Sequence, residues 1–176
     1  MNKQAIRVVW TIAFVVFVLI IAAIIITQPN GRQASPTPES EANGGERMQT
    51  FEAMLLTGQD AIFVDNQPAQ ERSVLVWFAL FANPGYVVIH EDDGGVPGGA
   101  IGASMWLLDG AENFRVDVDR PLEEGEIYYA MLHADDGDQV WSEAKDFPVS
   151  DGQGNVVVMT FSALEGADPQ STSISL

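Results

Sequence analysis

The chain has no cysteine and only two lysines, Lys3 and Lys145. Without cysteine there are no disulfides and no thiolate zinc site, although many exported domains lack cysteine, so the compartment stays open. The shortage of basic residues is one-sided. All 25 acidic residues follow Thr27, where only six basic ones stand against them, and a field of that sign repels nucleic acid and anionic lipid. Such an excess suits either an ordinary acidic exported protein or one adapted to high salt. Catalytic signatures are missing too. There is no G-x-S-x-G, no H-E-x-x-H, no Walker loop and no complete G-x-G-x-x-G ahead of a helix, so the usual nucleophile, zinc and nucleotide chemistries have no foothold. With no catalytic set and no bound cofactor implied, the expected role is non-enzymatic.

What is present is one long apolar run. Val8 to Ile26 holds 19 residues, with Thr11 its only polar member. As a helix rising about 1.5 Å per residue it spans roughly 28 Å, close to the ~30 Å hydrocarbon core of a bilayer. β-Branched residues are no obstacle there, because in lipid a single span must satisfy its own backbone. A cleaved signal peptide would have a shorter apolar core followed by a small-x-small site, whereas here Ile24 to Ile26 extend the run past Ala22 and Ala23. Lys3, Arg7 and the amino terminus precede the run and Arg32 follows it, so the charge bias keeps the N-terminus cytoplasmic. The expectation is a cytoplasmic segment over 1–7, a signal-anchor transmembrane helix over 8–27 with the membrane as its partner, and a single-pass cell-membrane protein whose C-terminal part is extracytoplasmic.

Residues 28–47 are rich in Pro, Gly, Ser, Asn and Glu, a composition that cannot collapse and reads as a disordered linker. From Met48 to Leu164 short β-rich runs alternate with turn residues, which predicts an all-β sandwich. Strands are expected near 50–56, 61–66, 73–81, 86–91, 100–107, 113–119, 126–134, 140–145 and 155–161. Phe114, Val116 and Val118 alternate with Arg115, Asp117 and Asp119, giving one apolar and one solvated face. Ser73 to Phe81 is apolar on both faces and belongs centrally. Asp136-Gly137 signals a two-residue type I′ hairpin. Residues 165–176 read as a flexible polar tail.

Both histidines precede acids, in His90-Glu91-Asp92-Asp93 and in His133-Ala134-Asp135-Asp136-Gly137-Asp138. A chain that reverses at each turn sends these two acidic loops to opposite ends of a sandwich, so the histidines are not expected to share a site. In the second loop, a two-residue turn would set Asp135 opposite Asp138 with Cβ atoms about 4.5–5.5 Å apart. A Ca2+ held by Asp135, Asp136 and Asp138 would relieve their repulsion. A solvated turn explains the same residues, and Ca2+ wants about six to eight oxygens. The loop from Glu91 to Gly99, with four glycines, reads as a binding loop or a loose connection. Trp77, Trp106 and Trp141 read as core more than as a sugar platform.

Several segments in order, Asp65-Asn66-Gln67, Gly85-Tyr86-Val87-Val88-Ile89-His90, Gly102-Ala103-Ser104, Leu108-Asp109-Gly110, Val116-Asp117-Val118, Pro121-Leu122 and Ala130-Met131-Leu132-His133, followed by the acidic turn 135–138, resemble a domain of unknown function that recurs in archaeal and bacterial exported surface proteins. The likeness runs from about Phe63 to Ala163. It implies an immunoglobulin-like β-sandwich on a cell surface and carries no activity with it. The expected function is therefore a membrane-anchored, non-catalytic module that binds an extracytoplasmic partner or envelope component, or that serves as a structural part of the envelope. The alternatives are an envelope hydrolase using the acidic loop carboxylates, or a Ca2+-stabilised adhesion domain.

Overall fold

The computed structural model describes residues 44–171. The expected membrane helix, most of the linker and the end of the tail lie outside the described residues. Among those described, no helix is long and apolar enough to cross a membrane.

The described chain is mostly β, in two sheets with one α-helix. Helix α1 covers Gly44–Thr57, and the strands are β1 Ala61–Val64, β2 Gln67–Pro68, β3 Ser73–Leu80, β4 Gly85–Asp92, β5 Pro97–Ala103, β6 Gly110–Asp117, β7 Ile127–Ala134 and β8 Val158–Leu164. One sheet has the order β1-β3-β6 and the other β2-β8-β7-β4-β5. Every pairing is antiparallel except β2 with β8. Val74, Val76 and Val116 from the first sheet share one buried core with Val87, Ile89, Ala130, Leu132, Met159 and Phe161 from the second. The strand from Ser73 is central in its sheet, and the alternation at Val116 and Val118 is buried as its pattern implies.

Helix α1 replaces the strand expected near 50–56 and takes in the end of the expected linker, so the described domain is not purely β. Met48, Phe51 and Met54 recur every three residues, which is helical spacing, and the apolar runs around them hid it. Phe51 is fully buried. Its ring lies 5.7 Å from Phe63 and 5.8 Å from Phe78. Arg47, also buried, fixes the same helix by donating to Asp65 Oδ1 at 2.8 Å, to Asn66 Oδ1 and to the Thr160 carbonyl at 3.3 Å. The helix thus bridges the end of β1 to β8. At the other end of the chain, the segment after Leu164 forms a short 3-10 helix, Pro169–Ser171, whose Pro169 carbonyl accepts the Trp77 indole N–H at 2.8 Å.

The loop expected from Glu91 to Gly99 is a tight connection. Strand β4 runs through Asp92, the Asp93 amide donates to the Val96 carbonyl at 2.8 Å, and β5 starts at Pro97. Gly94 and Gly95 adopt φ of 68° and 93°, which the turn needs and which only glycine reaches without strain. No strand forms over 140–145, and no hairpin forms at Asp136-Gly137. A type I′ turn needs positive φ at both central residues, and of these two only Gly137 has it.

Candidate functional site

Strands β4 and β7 run antiparallel, with Tyr86 opposite His133, Val88 opposite Met131 and His90 opposite Tyr129. Alternation puts these six side chains on the face turned away from the shared core. Histidines four positions out of register have Cα atoms well apart, and the acidic loops beyond them do leave from opposite ends of the strands, as expected. The rings nevertheless meet. His90 and His133 lean toward each other along the strands, and their Nε2 atoms lie 3.2 Å apart, with ring planes inclined by 18°. The expectation that they do not share a site is overturned because it tracked loops, whereas an imidazole reaches along its strand over the Val88–Met131 pair.

The orientation of both rings follows from their other contacts. The His90 Nδ1–H donates to the Gly98 carbonyl at 2.9 Å, and the His133 Nδ1–H donates to the Asp146 carbonyl at 2.8 Å. A carbonyl can only accept, so each ring donates from Nδ1, and when both rings are neutral each turns an Nε2 lone pair toward the other across 3.2 Å. Both residues are buried, at 5% and 3% exposure. Burial pushes the His133 pKa below its ordinary value, the positive form of His90 would push it the same way, and the Asp146 carbonyl opposes the shift. Two lone pairs held face to face in a dry site repel, and a positive charge between them relieves that repulsion.

The connection after β7 covers the His133 end of this face with residues 135–146. Its remainder, 147–157, pairs along the edge of β7, where the Ala134 amide donates to the Phe147 carbonyl at 2.9 Å and the Leu132 amide to the Val157 carbonyl at 3.2 Å. Trp141 packs edge-on against His133 at 5.2 Å and against Tyr86 at 5.6 Å. Tyr86 is buried, and its hydroxyl makes no hydrogen bond among the described residues. Burial, with the charges of Asp135, Asp146 and Asp138 adding to it, pushes the phenol up to about 12. Gly85 lets the end of β4 approach β7 closely, since a Cβ there would lie 2.0 Å from the His133 carbonyl oxygen.

Asp146 organises the cover. It is fully buried, and its carboxylate accepts the Asp136 amide at 3.0 Å and the Ser142 amide at 2.7 Å. The Ser142 amide is thus satisfied within the loop, and the Ser142 carbonyl accepts the Lys145 and Asp146 amides at 2.9 Å, so 140–145 forms a turn in place of the expected strand. Asp135 accepts the Trp106 indole N–H at 3.1 Å and the Gln139 amide at 3.0 Å, tying the cover to the 104–109 loop. Asp138 shares Lys145 Nζ with Asp136, at 2.8 and 3.7 Å, and accepts the Val140 amide at 2.9 Å. The carboxylates whose ligand atoms converge are those of Asp135, Asp136 and Asp146, whereas the expected trio was Asp135, Asp136 and Asp138. Ligand atoms of Asp135, Asp136 and Asp146 lie within 4.8 Å of one another, and Asp146, ten residues on, was invisible to an argument built on a hairpin.

Residues 60–163 match the model of a family described as a domain of unknown function, DUF7282. The match covers more than half of the chain, and the protein belongs to that family. Neither the curated proteins nor the solved structures include a significant match.

Proposed function

We propose that this protein is a single-pass membrane protein whose folded part is an extracytoplasmic, immunoglobulin-like sandwich acting by binding rather than catalysis. The address rests on the apolar run Val8–Ile26 and the spacer after it. The immunoglobulin-like assignment is supported by strand order. Read as A, B and E for β1, β3 and β6, and as C, C′, F and G for β4, β5, β7 and β8, the sheets follow the arrangement of that fold. Tyr128, at the start of β7, accepts the Glu123 amide at 2.9 Å, the geometry of a tyrosine corner.

The observation that carries binding is at one end of the sandwich. The 104–109 and 135–147 loops brace each other through Trp106 and Asp135, and between them they expose Met105, Leu108, Val140 and Phe147. Large apolar side chains exposed on loops that a rigid sheet positions support a binding reading, since binding residues concentrate on such loops. The test is a photo-crosslinking side chain at Phe147 in the full-length protein in intact cells. It should give one discrete envelope adduct, and a crosslinker at exposed Glu112 should give none. Turnover of a glycan, ester or peptide library by the purified protein would refute the reading, as would recovery of the full chain from the soluble cytosolic extract.

A second reading, Ca2+ stabilisation of the cover, is favoured by the convergence of Asp135, Asp136 and Asp146. It requires a melting temperature that rises with Ca2+ and not with Na+ of equal ionic strength.

A further inference from the structure

The geometry points to a transition-metal site at the histidine pair, in which His90 Nε2 and His133 Nε2 together ligate one Zn2+ or Cu+ ion. The first support is the orientation of both rings. Metal-binding histidines donate their remote N–H to a carbonyl or carboxylate, which fixes the tautomer and aims the lone pair, and here Gly98 and Asp146 supply that carbonyl on both sides. The second is the spacing. An ion about 2.0–2.1 Å from each nitrogen across the observed 3.2 Å would subtend an angle of roughly 100–106°, near tetrahedral. The observed separation of the two nitrogens already matches that angle. The third is the donor set. Imidazole suits Zn and Cu, and a thioether favours Cu+. Met131 stands on the same face, at the Val88–Met131 pair that the two rings span, and is itself buried. Hard ions such as Ca2+ have no reason to choose two nitrogens, so the pair and the neighbouring carboxylates of Asp135, Asp136 and Asp146 select different ions even though the Asp146 carbonyl holds the His133 ring.

The test uses the full-length chain, stripped by a chelator and dialysed against Zn2+, against Cu+ under reductant, or against Ca2+ as control. Retention of one Zn2+ or Cu+ per chain, with no Ca2+ held at these nitrogens, is the expected result, and the two arms tell which ion the donors prefer. On the unmutated chain labelled with 15N-histidine, the metal should move the Nε2 resonances of both rings and leave the Nδ1 protons in place. His90→Phe and His133→Phe should each weaken retention at least about tenfold, since even loss of an outer partner of a metal ligand costs about 10–100-fold. Lack of retention would overturn the assignment, as would unchanged affinity in both variants. So would Nε2 resonances that show a single proton shared between the rings and ignore the metal. The spectra are read on the native protein, so they decide between these outcomes even where a variant fails to fold.

Discussion

Gln67 is fully buried, and its side chain stands in for a length of backbone. Its Oε1 accepts the Leu75 amide at 2.8 Å, while its Nε2 donates to the Asp65 carbonyl at 2.8 Å and to the Leu75 carbonyl at 3.3 Å. Gln67→Leu keeps the volume and strands buried polar groups of β3, so it should cost about 2 kcal/mol, read as a lower denaturant midpoint with an unchanged slope. Asp151 does similar work in the open. The Asn155 side chain first, then the Asn155 amide, hold its carboxyl below the ordinary value. A carboxyl depressed in the folded state adds stability above its unfolded pKa of about 3.9, and that contribution is lost as pH falls through the lower folded value. Asn155→Ala should therefore raise the Asp151 pKa in a carbon-detected NMR titration; an unmoved value would remove the side-chain amide as the main cause.

Among the elements, helix α1 depends on Arg47. The guanidinium is buried, and burial draws its pKa down against the pull of Asp65. Arg47→Met should destabilise the domain by about 3 kcal/mol, the low end for loss of one partner of a buried pair, because the Asp65 side chain is 16% exposed. Hydrogen exchange should show the amides of 47–57 losing protection before those of β3 and β7. Equal loss everywhere would mean that the helix is not a separable unit. At the β4–β7 pair, Gly85→Ala drives a methyl into the His133 carbonyl, and the resonances of the His133 ring should shift with it.

For the whole molecule, charge is the dominant variable. The residues after Thr27 carry six basic against 25 acidic side chains, and self-repulsion of that size opposes compaction. Raising NaCl from about 0.01 M to 1 M shortens the screening length from about 30 Å to 3 Å, so the melting temperature should climb with salt, equally for NaCl and KCl. A flat profile would show that the acids are already neutralised locally, as Lys145 does for Asp138 and Arg120 for Glu91.

Most strands were readable because they alternate or run apolar between turn residues, a pattern set by one face being buried and the other wet. The apolar run at 8–26, the acidic balance and the family likeness, which the match over 60–163 extends, are likewise properties of the linear order. Helix α1 was missed because its few apolar positions sit among residues that suit a strand as well, and only Phe63, Phe78 and the Arg47 network choose between them. The His90–His133 contact and the place of Asp146 in the cover could not be read at all. They join residues 43 and ten or more positions apart, and which side chains meet depends on strand register and on how far a ring leans along its strand. Local patterning carries no record of either quantity, since both come into being when the sheets pair.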